Sequence, residues 1–312
     1  MSTRIRLALD WTPNTNHTGF YVAQATGRYE RAGLAVEFIT PETDDYRLTP
    51  ARRVARGLAD LAITPSESVV SFQTNGTPLV AVAAVLARDA SAIVTLRQRG
   101  LDRPQRLDGK VYASYEARYE DEIVRQMIVN DGGRGQFISR KPARLDIWHA
   151  LLTGEVDAAW IFLPWEGVEA EQRDIPLNRF LLDEYEIPYG YSPVLTAHHD
   201  WAGANADALR RFLAATGEGF VQAVRDPEGA AHLLAQTARH PTLMDMDFLE
   251  RSQQLAAGYY LPVDGQWGVM RREVWNAFVG WLIRNRLLNQ PDGELIQQYD
   301  VSRLFTNDYL RP

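Results

Sequence analysis

Apolar and polar positions near the start of the chain follow the order strand, loop, helix, strand. Ile5–Leu9 alternates as a strand does, and Leu34–Ile39 has the same character. Between them, Asp10–Gly19 is a polar loop, and Phe20–Arg31 has helical spacing that ends near Gly33. Elements of these lengths predict a βαβ unit, and therefore a parallel sheet with ligands at the carboxyl ends of its strands.

A related pattern occurs twice further along the chain. The helix predicted over Ala51–Arg56 ends at Gly57 and leads to a short apolar strand, Leu61–Ile63. The segment "RGLADLAI", Arg56–Ile63, is echoed by "TGEVDAAW", Thr153–Trp160. In both, a glycine ends a helix, an aspartate stands in the turn and an apolar strand follows. This weak internal repeat predicts two similar α/β lobes.

The second lobe is predicted to begin after the strand Ala92–Leu96, in a charged passage that contains Pro and Gly. Lys110–Ser114 and Glu120–Asn130 are then its first strand and its first helix. Val194–Ala197 is expected to return to the first lobe, and Asp207–Leu288 to add amphipathic helices on the outside. The expected domains are 1–95 plus 196–312 for lobe 1 with its C-terminal helices, and 96–195 for lobe 2.

The predicted fold class is α/β with two lobes. A length of 312 residues agrees with about two domains. Two chain crossings, near residues 95 and 195, would form a hinge between the lobes. Ligands commonly bind in the interdomain cleft of such a protein, so we expect the site there.

Composition limits the partners and the kinds of chemistry that the protein can have. The net charge of −7 is spread along the chain, so we expect no nucleic acid partner. Cysteine is absent, which excludes disulfides, thiolate metal sites and cysteine nucleophiles. Lys110 and Lys141 are the only lysines, so few positions are available for a Schiff base to pyridoxal phosphate. We expect neither a cofactor nor a bound metal.

The sequence leaves two compartments open. No apolar run is long enough to span a bilayer, so we expect no transmembrane segment. No apolar signal core precedes the first strand. The protein is therefore expected to be periplasmic or extracellular if a signal segment was removed, and otherwise cytoplasmic.

The densest group of polar and aromatic residues is "DWTPNTNHTGFY", in the first strand-to-helix loop. Trp11 is suited to stacking on a planar ring, and Asp10 to accepting hydrogen bonds. For Asn14, Asn16 and Thr18, capping of the helix is favoured over ligand contact. The ligand-binding residues predicted in this loop are Asp10, Trp11, Asn14, His17 and Tyr21.

The strand predicted at Leu61–Ile63 ends in "TPSESVV". Ser66 offers a hydroxyl and a helix N-terminal amide to a ligand, although a helix N-cap fits the same position equally well. Glu67 is suited to accepting a hydrogen bond from an amine group of a ligand. The alternative is a favourable charge in the first turn of a helix.

The corresponding turn of the second lobe is "SYEARYED". Ser114 would let a ligand approach closely, and Tyr115 and Glu116 favour a neutral or cationic aromatic ligand over a phosphate. Trp165 and Glu166 follow another apolar strand and are predicted to form an aromatic wall with an acid beside it.

Three further aromatic residues have two interpretations. Trp160, at the centre of a predicted strand, is expected to belong to the core. Tyr189 and Tyr191 flank a glycine at the second crossing. Stacking on a ligand and packing within the hinge fit these two tyrosines equally well.

The segment "LDWTPNTNHTGFYVAQATGRYERAGLAVEF", Leu9–Phe38, resembles the opening of binding proteins that capture pyrimidine precursors of thiamine, and of the related fungal pyrimidine synthases. The likeness continues weakly through "GLADLAITPSESVV", "LDGKVYASYEARYEDEIVRQMI" and "WIFLPWEGVE". This resemblance implies the two-lobed periplasmic-binding-protein type II fold. It also implies a pyrimidine held by stacking on Trp11 and by Asp10, with His17 and Tyr21 beside them.

Two functions follow from the resemblance. The first is a solute-binding protein that delivers a thiamine-type pyrimidine or a similar heteroaromatic to an ABC permease. The second is a cytoplasmic synthase, which in that family builds the ring from pyridoxal phosphate and a histidine of the protein, or a ligand sensor. In an alignment with the synthase pattern, Thr64 stands where the cofactor lysine should be, and Ser68 stands where the donor histidine should be. Its cysteine-rich segment would fall on "YGYSPVL", which has no cysteine, so we expect a binding protein without enzyme activity.

Overall fold

The computed structural model describes residues 2–143, 146–263 and 265–310. The chain divides into two compact units. Unit 1 comprises Met1–Asp89, Gly190–Asn276 and Asn289–Pro312, and unit 2 comprises Ala90–Tyr189 and Ala277–Leu288. The expected crossings near residues 95 and 195 therefore lie a few residues beyond the observed ones, and the last segment of unit 2 had been expected in lobe 1.

The sheet of unit 1 is built from the first strand-helix-strand segment and a later returning strand. Its strands are β1 (Thr3–Ala8), β2 (Leu34–Ile39), β3 (Leu61–Thr64), β4 (Leu79–Ala84) and β10 (Val194–His198). Their order is β2-β1-β3-β10-β4, where β1 is parallel to β2 and β3 and β10 is antiparallel to β3 and β4. The parallel βαβ unit and the return of β10 to this sheet confirm the expectation from the sequence.

Eight helices of unit 1 are α1 (Thr18–Ala25), α2 (Arg28–Arg31), α3 (Pro50–Ala55), α4 (Ser66–Thr74), α8 (His199–Ala204), α9 (Ala206–Arg225), α10 (Pro227–Ala238) and α11 (Met246–Tyr260). The single helix expected over Phe20–Arg31 is wrong. It is divided into α1 and α2 because Gly27 has a φ of 68°, a left-handed conformation that ends a helix.

Unit 2 has a second five-stranded sheet. Its strands are β5 (Ser91–Leu96), β6 (Val111–Ala113), β7 (Ile138–Arg140), β8 (Ala158–Phe162) and β9 (Leu177–Phe180), and its helices are α5 (Glu120–Asn130), α6 (Ile147–Thr153) and α7 (Val168–Gln172). The order is β7-β6-β8-β5-β9, with β6 parallel to β7 and β8 and β5 antiparallel to β8 and β9. The remaining helix, α12 (Arg272–Arg284), has residues in both units. Among the described residues, no helix is long and apolar enough to cross a membrane.

The internal repeat has a structural cause in its two aspartates. Asp60 donates its backbone N–H to Arg6 O (2.9 Å), and its Oδ2 accepts the N–H of the same residue (2.8 Å). Asp157 makes the same two bonds to Val111, at 2.8 and 3.0 Å. The glycines that end the preceding helices have φ values of 67° and 77°. Each aspartate thus ties its turn to the strand, β1 or β6, that lies second in the order of its sheet.

Two glycines let helices α1 and α9 cross closely within unit 1. A Cβ on Gly219 would lie 2.1 Å from the backbone oxygen of Gly19, and a Cβ on Gly19 would lie 2.1 Å from a ring carbon of Phe220. These separations are far below van der Waals contact. Gly19, the last residue of the predicted polar loop, is therefore required by helix packing.

We predict that Gly219→Ala destabilises the protein, because the added methyl group meets backbone that cannot rotate away. Overpacking of this kind costs about 1–3 kcal/mol. Gly258→Ala is the matched control, since Gly258 is helical and no atom lies within 4 Å of the place its added methyl group would take. The free energy of unfolding of that variant should rise by up to about 1 kcal/mol. Urea unfolding measures both changes, and equal effects would contradict the close crossing.

Candidate functional site

The candidate loops of unit 1 leave the same edge of its sheet. Because β1 and β3 are parallel neighbours, the loop of Asp10 and the turn of Ser66 both follow carboxyl ends of strands. The antiparallel strand β10 begins at this edge, since Val194 pairs with Thr64. The carboxyl edge of a parallel sheet is where ligands of open α/β proteins bind.

His17 is completely buried, and each of its two ring nitrogens has a hydrogen-bond partner. Its Nε2 lies 2.7 Å from Asp10 Oδ1, and its Nδ1 accepts the backbone N–H of Asn14 at 3.3 Å. Because Nδ1 accepts, the proton of the neutral ring is on Nε2, which donates to the carboxylate. This geometry therefore does not support the direct ligand contact that was expected of His17. Asp10 keeps 20% of its side chain exposed and can still accept hydrogen bonds.

Asn14 begins the 3-10 turn Thr15–His17, as the capping interpretation predicted. Its Oδ1 accepts the N–H of Asn16 (2.8 Å), and its Nδ2 donates to Thr12 O (2.9 Å). With His17 accepting from the backbone of Asn14, the two side chains cap each other's backbone in a reciprocal capping box. The side chain of Asn14 is thus part of the turn.

Trp11 is paired with an aromatic residue that sequence reasoning missed. Its ring centroid lies 5.2 Å from that of Tyr46, with the planes at 53°. Asp45 and Tyr46 have φ values of 56° and 60°, and this left-handed turn brings the tyrosine to the loop. Both rings are partly exposed, so they can contact a planar ligand. Tyr21, in contrast, is 4% exposed and packs on the ring of Phe38, at 4.6 Å between centroids.

Helix α11 anchors the loop through buried side chains. Thr15 Oγ1 lies 2.8 Å from Ser252 Oγ, and Tyr260 donates its hydroxyl to Thr15 O at 2.5 Å. Thr18 donates to Gln253 Oε1 at 2.6 Å. Buried polar groups of this kind have few alternative partners, so the loop is held in one conformation.

The turn after β3 is arranged differently from the capping interpretation of Ser66. Pro65 is the N-cap of α4 and Ser66 is the first helical residue, so that interpretation is wrong. The backbone N–H of Ser66 donates to Tyr191 O at 3.1 Å. Its hydroxyl is buried and has no hydrogen-bond partner among the described residues. Glu67 is 5% exposed in the first turn of α4.

In unit 2, Ser114 supports its own turn. It is fully buried, donates to Glu120 Oε2 (3.2 Å) and accepts the N–H of Glu116 (3.0 Å). The carboxylate of Glu120 also accepts the N–H groups of Tyr115 and Ala117. Burial raises the pKa of Glu120. The hydroxyl of Ser114 is therefore occupied, and close approach of a ligand remains a prediction.

Tyr115, Trp160 and Tyr189 are neighbours within unit 2. The exposed Tyr115 places its hydroxyl 3.5 Å from Trp160 O. Trp160 is 9% exposed and donates its Nε1 to Ser91 Oγ at 2.7 Å, which confirms the core interpretation. Tyr189 is partly exposed, and its ring centroid lies 5.2 Å from that of Trp160. Ligand contact by Tyr115 and Tyr189 stays a prediction.

Tyr191 lies in unit 1 and is 3% exposed. Its hydroxyl accepts the backbone N–H of Arg271 at 2.9 Å, and its ring is 6.4 Å from Trp275. Both contacts are internal to unit 1. They favour the packing interpretation of this tyrosine over stacking on a ligand.

Trp165 and Glu166 occupy a π-helical turn, Leu163–Gly167, directly after β8. Glu166 Oε2 accepts the N–H of Phe162 at 3.0 Å. Burial raises the pKa of Glu166 to about 7, and the nearby Glu169 acts in the same direction. Trp165 is partly exposed. This carboxyl group can therefore change its protonation state near neutral pH.

One group of possible metal ligands lies outside these loops, among the described residues. Glu228 and His232 on α10 and Glu250 on α11 offer ligand atoms within 4.8 Å of one another. His232 Nε2 is 3.2 Å from Glu250 Oε1, and the side chains are substantially exposed. The contact between His232 and Glu250 joins the two helices and accounts for this arrangement.

Together these observations define the class of protein. Two α/β units, each with candidate ligand loops at strand ends, form the two-lobed type II binding-protein fold. The solved ligand-binding component of an ABC-type import system from Staphylococcus aureus has a TM-score of 0.70 at 14% identity, covering 99% of this chain and 98% of that one. The alkanesulfonate-binding protein SsuA from Xanthomonas axonopodis pv. citri gives 0.69 at 15% identity, covering 92% and 95%.

The chain belongs to the NMT1/THI5-like family, whose sequence pattern matches residues 14–230. The formylaminopyrimidine-binding protein of Halalkalibacterium halodurans is 24% identical over 295 residues, which are 92% of this chain and 87% of that protein. A 4-amino-5-hydroxymethyl-2-methylpyrimidine phosphate synthase from Legionella pneumophila is 19% identical over 314 residues, covering 99% and 93%. These matches confirm the resemblance and the fold class inferred from the first motif, and they support a solute-binding role.

We predict that Glu166→Gln stabilises the protein at pH 8 but not near pH 4.5. The folded-state pKa of about 7 exceeds the ordinary value of 4.5, so the folded form resists ionisation. The parent therefore loses stability as pH rises from 4.5 through 7, by up to about 3 kcal/mol. The glutamine variant cannot ionise and keeps that stability.

Urea unfolding at the two pH values checks this prediction. The control is Glu184→Gln, an exposed glutamate in the same unit, which should not change the pH dependence. If parent and Glu166→Gln lost stability equally between pH 4.5 and 8, the carboxyl group would not be buried as described.

Proposed function

We propose that the protein captures a thiamine-precursor pyrimidine or a similar amino-substituted heteroaromatic. The observation that carries the proposal is the Asp10 carboxylate, held by the buried His17, directly before the partly exposed Trp11 and its neighbour Tyr46. The formylaminopyrimidine-binding relative supports the same ligand class. The other candidate contacts remain those expected from the sequence, above all Glu67, Tyr115, Trp165, Glu166 and Tyr189.

The loop chemistry favours an amine-bearing ring over an anion. A carboxylate accepts from an exocyclic amine or a protonated ring nitrogen, and such charge-assisted bonds are about twice as strong as neutral ones. Stacking on an aromatic ring adds about 0.5–1.5 kcal/mol per contact. A sulfonate or phosphate at the same place would meet the negative charge of Asp10.

A transport role follows from the same relatives. We propose that the protein delivers its ligand to an ABC permease and works in the periplasm or outside the cell. The solved ligand-binding component of an import system supports this role through its shared fold. A cytoplasmic ligand sensor is the alternative.

The synthase alternative lacks its required groups. Thr64, at the position of the cofactor lysine, is 2% exposed, and its hydroxyl lies 2.9 Å from that of Thr196. Lys141 is on unit 2 and is paired with Glu116 at 2.7 Å. These contacts support a binding protein rather than an enzyme.

We predict that calorimetry finds tighter binding of an aminopyrimidine than of a sugar, an aliphatic amino acid or an alkylsulfonate. Trp11→Ala should weaken that binding about tenfold, because one stacking contact is lost. Trp201→Ala is the matched control, since Trp201 is a partly exposed tryptophan of unit 1 on α8. Melting curves confirm that both variants are folded. Tight binding of the sulfonate alone would contradict the proposal.

We also predict that pyridoxal phosphate forms no stoichiometric adduct. Incubation with the cofactor, reduction with borohydride and peptide mapping test both lysines. Scattered, substoichiometric labelling of Lys110 and Lys141 is expected, because both are exposed on unit 2. A complete adduct at one lysine, together with product formation, would support the synthase instead.

A further inference from the structure

We propose that His17 is a positioning residue for ligand selectivity: it fixes the Asp10 carboxylate as a hydrogen-bond acceptor for the ligand amine. The inference rests on the proposed function and assigns His17 a role other than ligand contact. It starts from two distances, 2.7 Å from His17 Nε2 to Asp10 Oδ1 and 3.3 Å from Asn14 N to His17 Nδ1.

The first step concerns the direction of the hydrogen bonds. A backbone N–H can only donate, so the Asn14 amide requires a bare Nδ1 on His17. The proton of the neutral ring is then on Nε2 and points to Asp10. The tautomer is therefore set by backbone, and the carboxylate receives a donor from a side chain that is 0% exposed.

The second step concerns what remains on Asp10. Oδ1 faces the imidazole, while the side chain keeps 20% of its surface exposed. A carboxylate has about four acceptor positions on its two oxygens, so one bond from His17 leaves acceptors for a ligand. Because the imidazole is held on its other side, the carboxylate has one preferred orientation. A pre-oriented acceptor favours a donor at one place on the ligand.

The third step explains why the imidazole itself does not move. The turn that carries His17 is bonded to α11 on both sides, through Thr15 with Ser252 and through Thr18 with Gln253. Tyr260 adds a bond to the backbone of Thr15. The hydrogen bonds that link α11 to the turn, and His17 of that turn to Asp10, form one continuous network within unit 1.

Two variants of His17 separate positioning from capping. In His17→Gln, the longer side chain carries its amide nitrogen to the region of Nε2, so the bond to Asp10 can be kept. In His17→Asn, the shorter side chain places its amide oxygen near Nδ1, so the bond from Asn14 is kept and the bond to Asp10 is lost. His198→Asn is the matched control, because His198 Nδ1 also accepts a helix-capping N–H, from Asp200 at 3.3 Å.

The ligand arm compares 4-amino-5-hydroxymethyl-2-methylpyrimidine with the analogue that has a methyl group in place of the 4-amine. His17→Asn should weaken binding of the amine about tenfold to a hundredfold. The methyl analogue should change much less, so the ratio of the two Kd values falls. His17→Gln should restore most of that ratio, and His198→Asn should leave it unchanged. Equal weakening of both ligands in His17→Asn would mean a purely structural role and would overturn the proposal.

The second arm needs no ligand. Two-bond ¹⁵N–¹H correlation spectra of the free protein, labelled at histidine nitrogens, report the tautomer of His17, whose signals are assigned by their loss in His17→Asn. A proton on Nε2 supports the proposal, and a proton on Nδ1 overturns it. If the parent binds neither pyrimidine, the proposed function and the selectivity role both fail, while the tautomer still decides whether His17 orients Asp10.

Discussion

A fully buried imidazole must have a partner for each of its two nitrogens, and this requirement organises the first loop of unit 1. His17 satisfies it with a backbone amide on one side and Asp10 on the other. An unsatisfied buried polar group lowers the free energy of unfolding by about 1–3 kcal/mol, so losing either bond would destabilise the loop. The carboxylate therefore has a defined orientation before any ligand arrives. The same turn is tied to α11, so the conformation of the loop depends on packing distant in sequence.

The two sheets place comparable loops at comparable positions. In each unit two parallel neighbours, β1 with β3 and β6 with β8, send their following loops from the same edge. An antiparallel strand completes each arrangement, β10 in the first sheet and β5 in the second. The aspartates of the internal repeat, Asp60 and Asp157, make equivalent bonds to β1 and β6, which hold the same place in the order of the two sheets. The repeat is thus clearer in the hydrogen bonds of the two units than in their amino-acid sequences.

The elements with local signals were predictable from the sequence. β2 and α5 agree at both ends with their predicted ranges, because strand alternation and helical spacing are strong there. Features set by distant contacts were not predictable. Tyr46 reaches Trp11 through two consecutive left-handed residues in a polar segment that carries no aromatic pattern. His17 looked like a ligand contact because its full burial depends on packing that its neighbours in sequence do not reveal.

The fold alone leaves the ligand open, since an alkanesulfonate-binding protein shares it at 15% identity. Ligand charge must then be decided by side chains in the loops. A carboxylate that is already oriented by a buried donor gains little from an approaching anion and repels it, whereas an amine finds an acceptor without further reorganisation. Trp11 and Tyr46 supply surface for any flat ring but do not distinguish an amine from a methyl group. Under the proposed function, stacking in this loop accounts for affinity towards aromatic ligands, and the pair of Asp10 and His17 accounts for the choice among them.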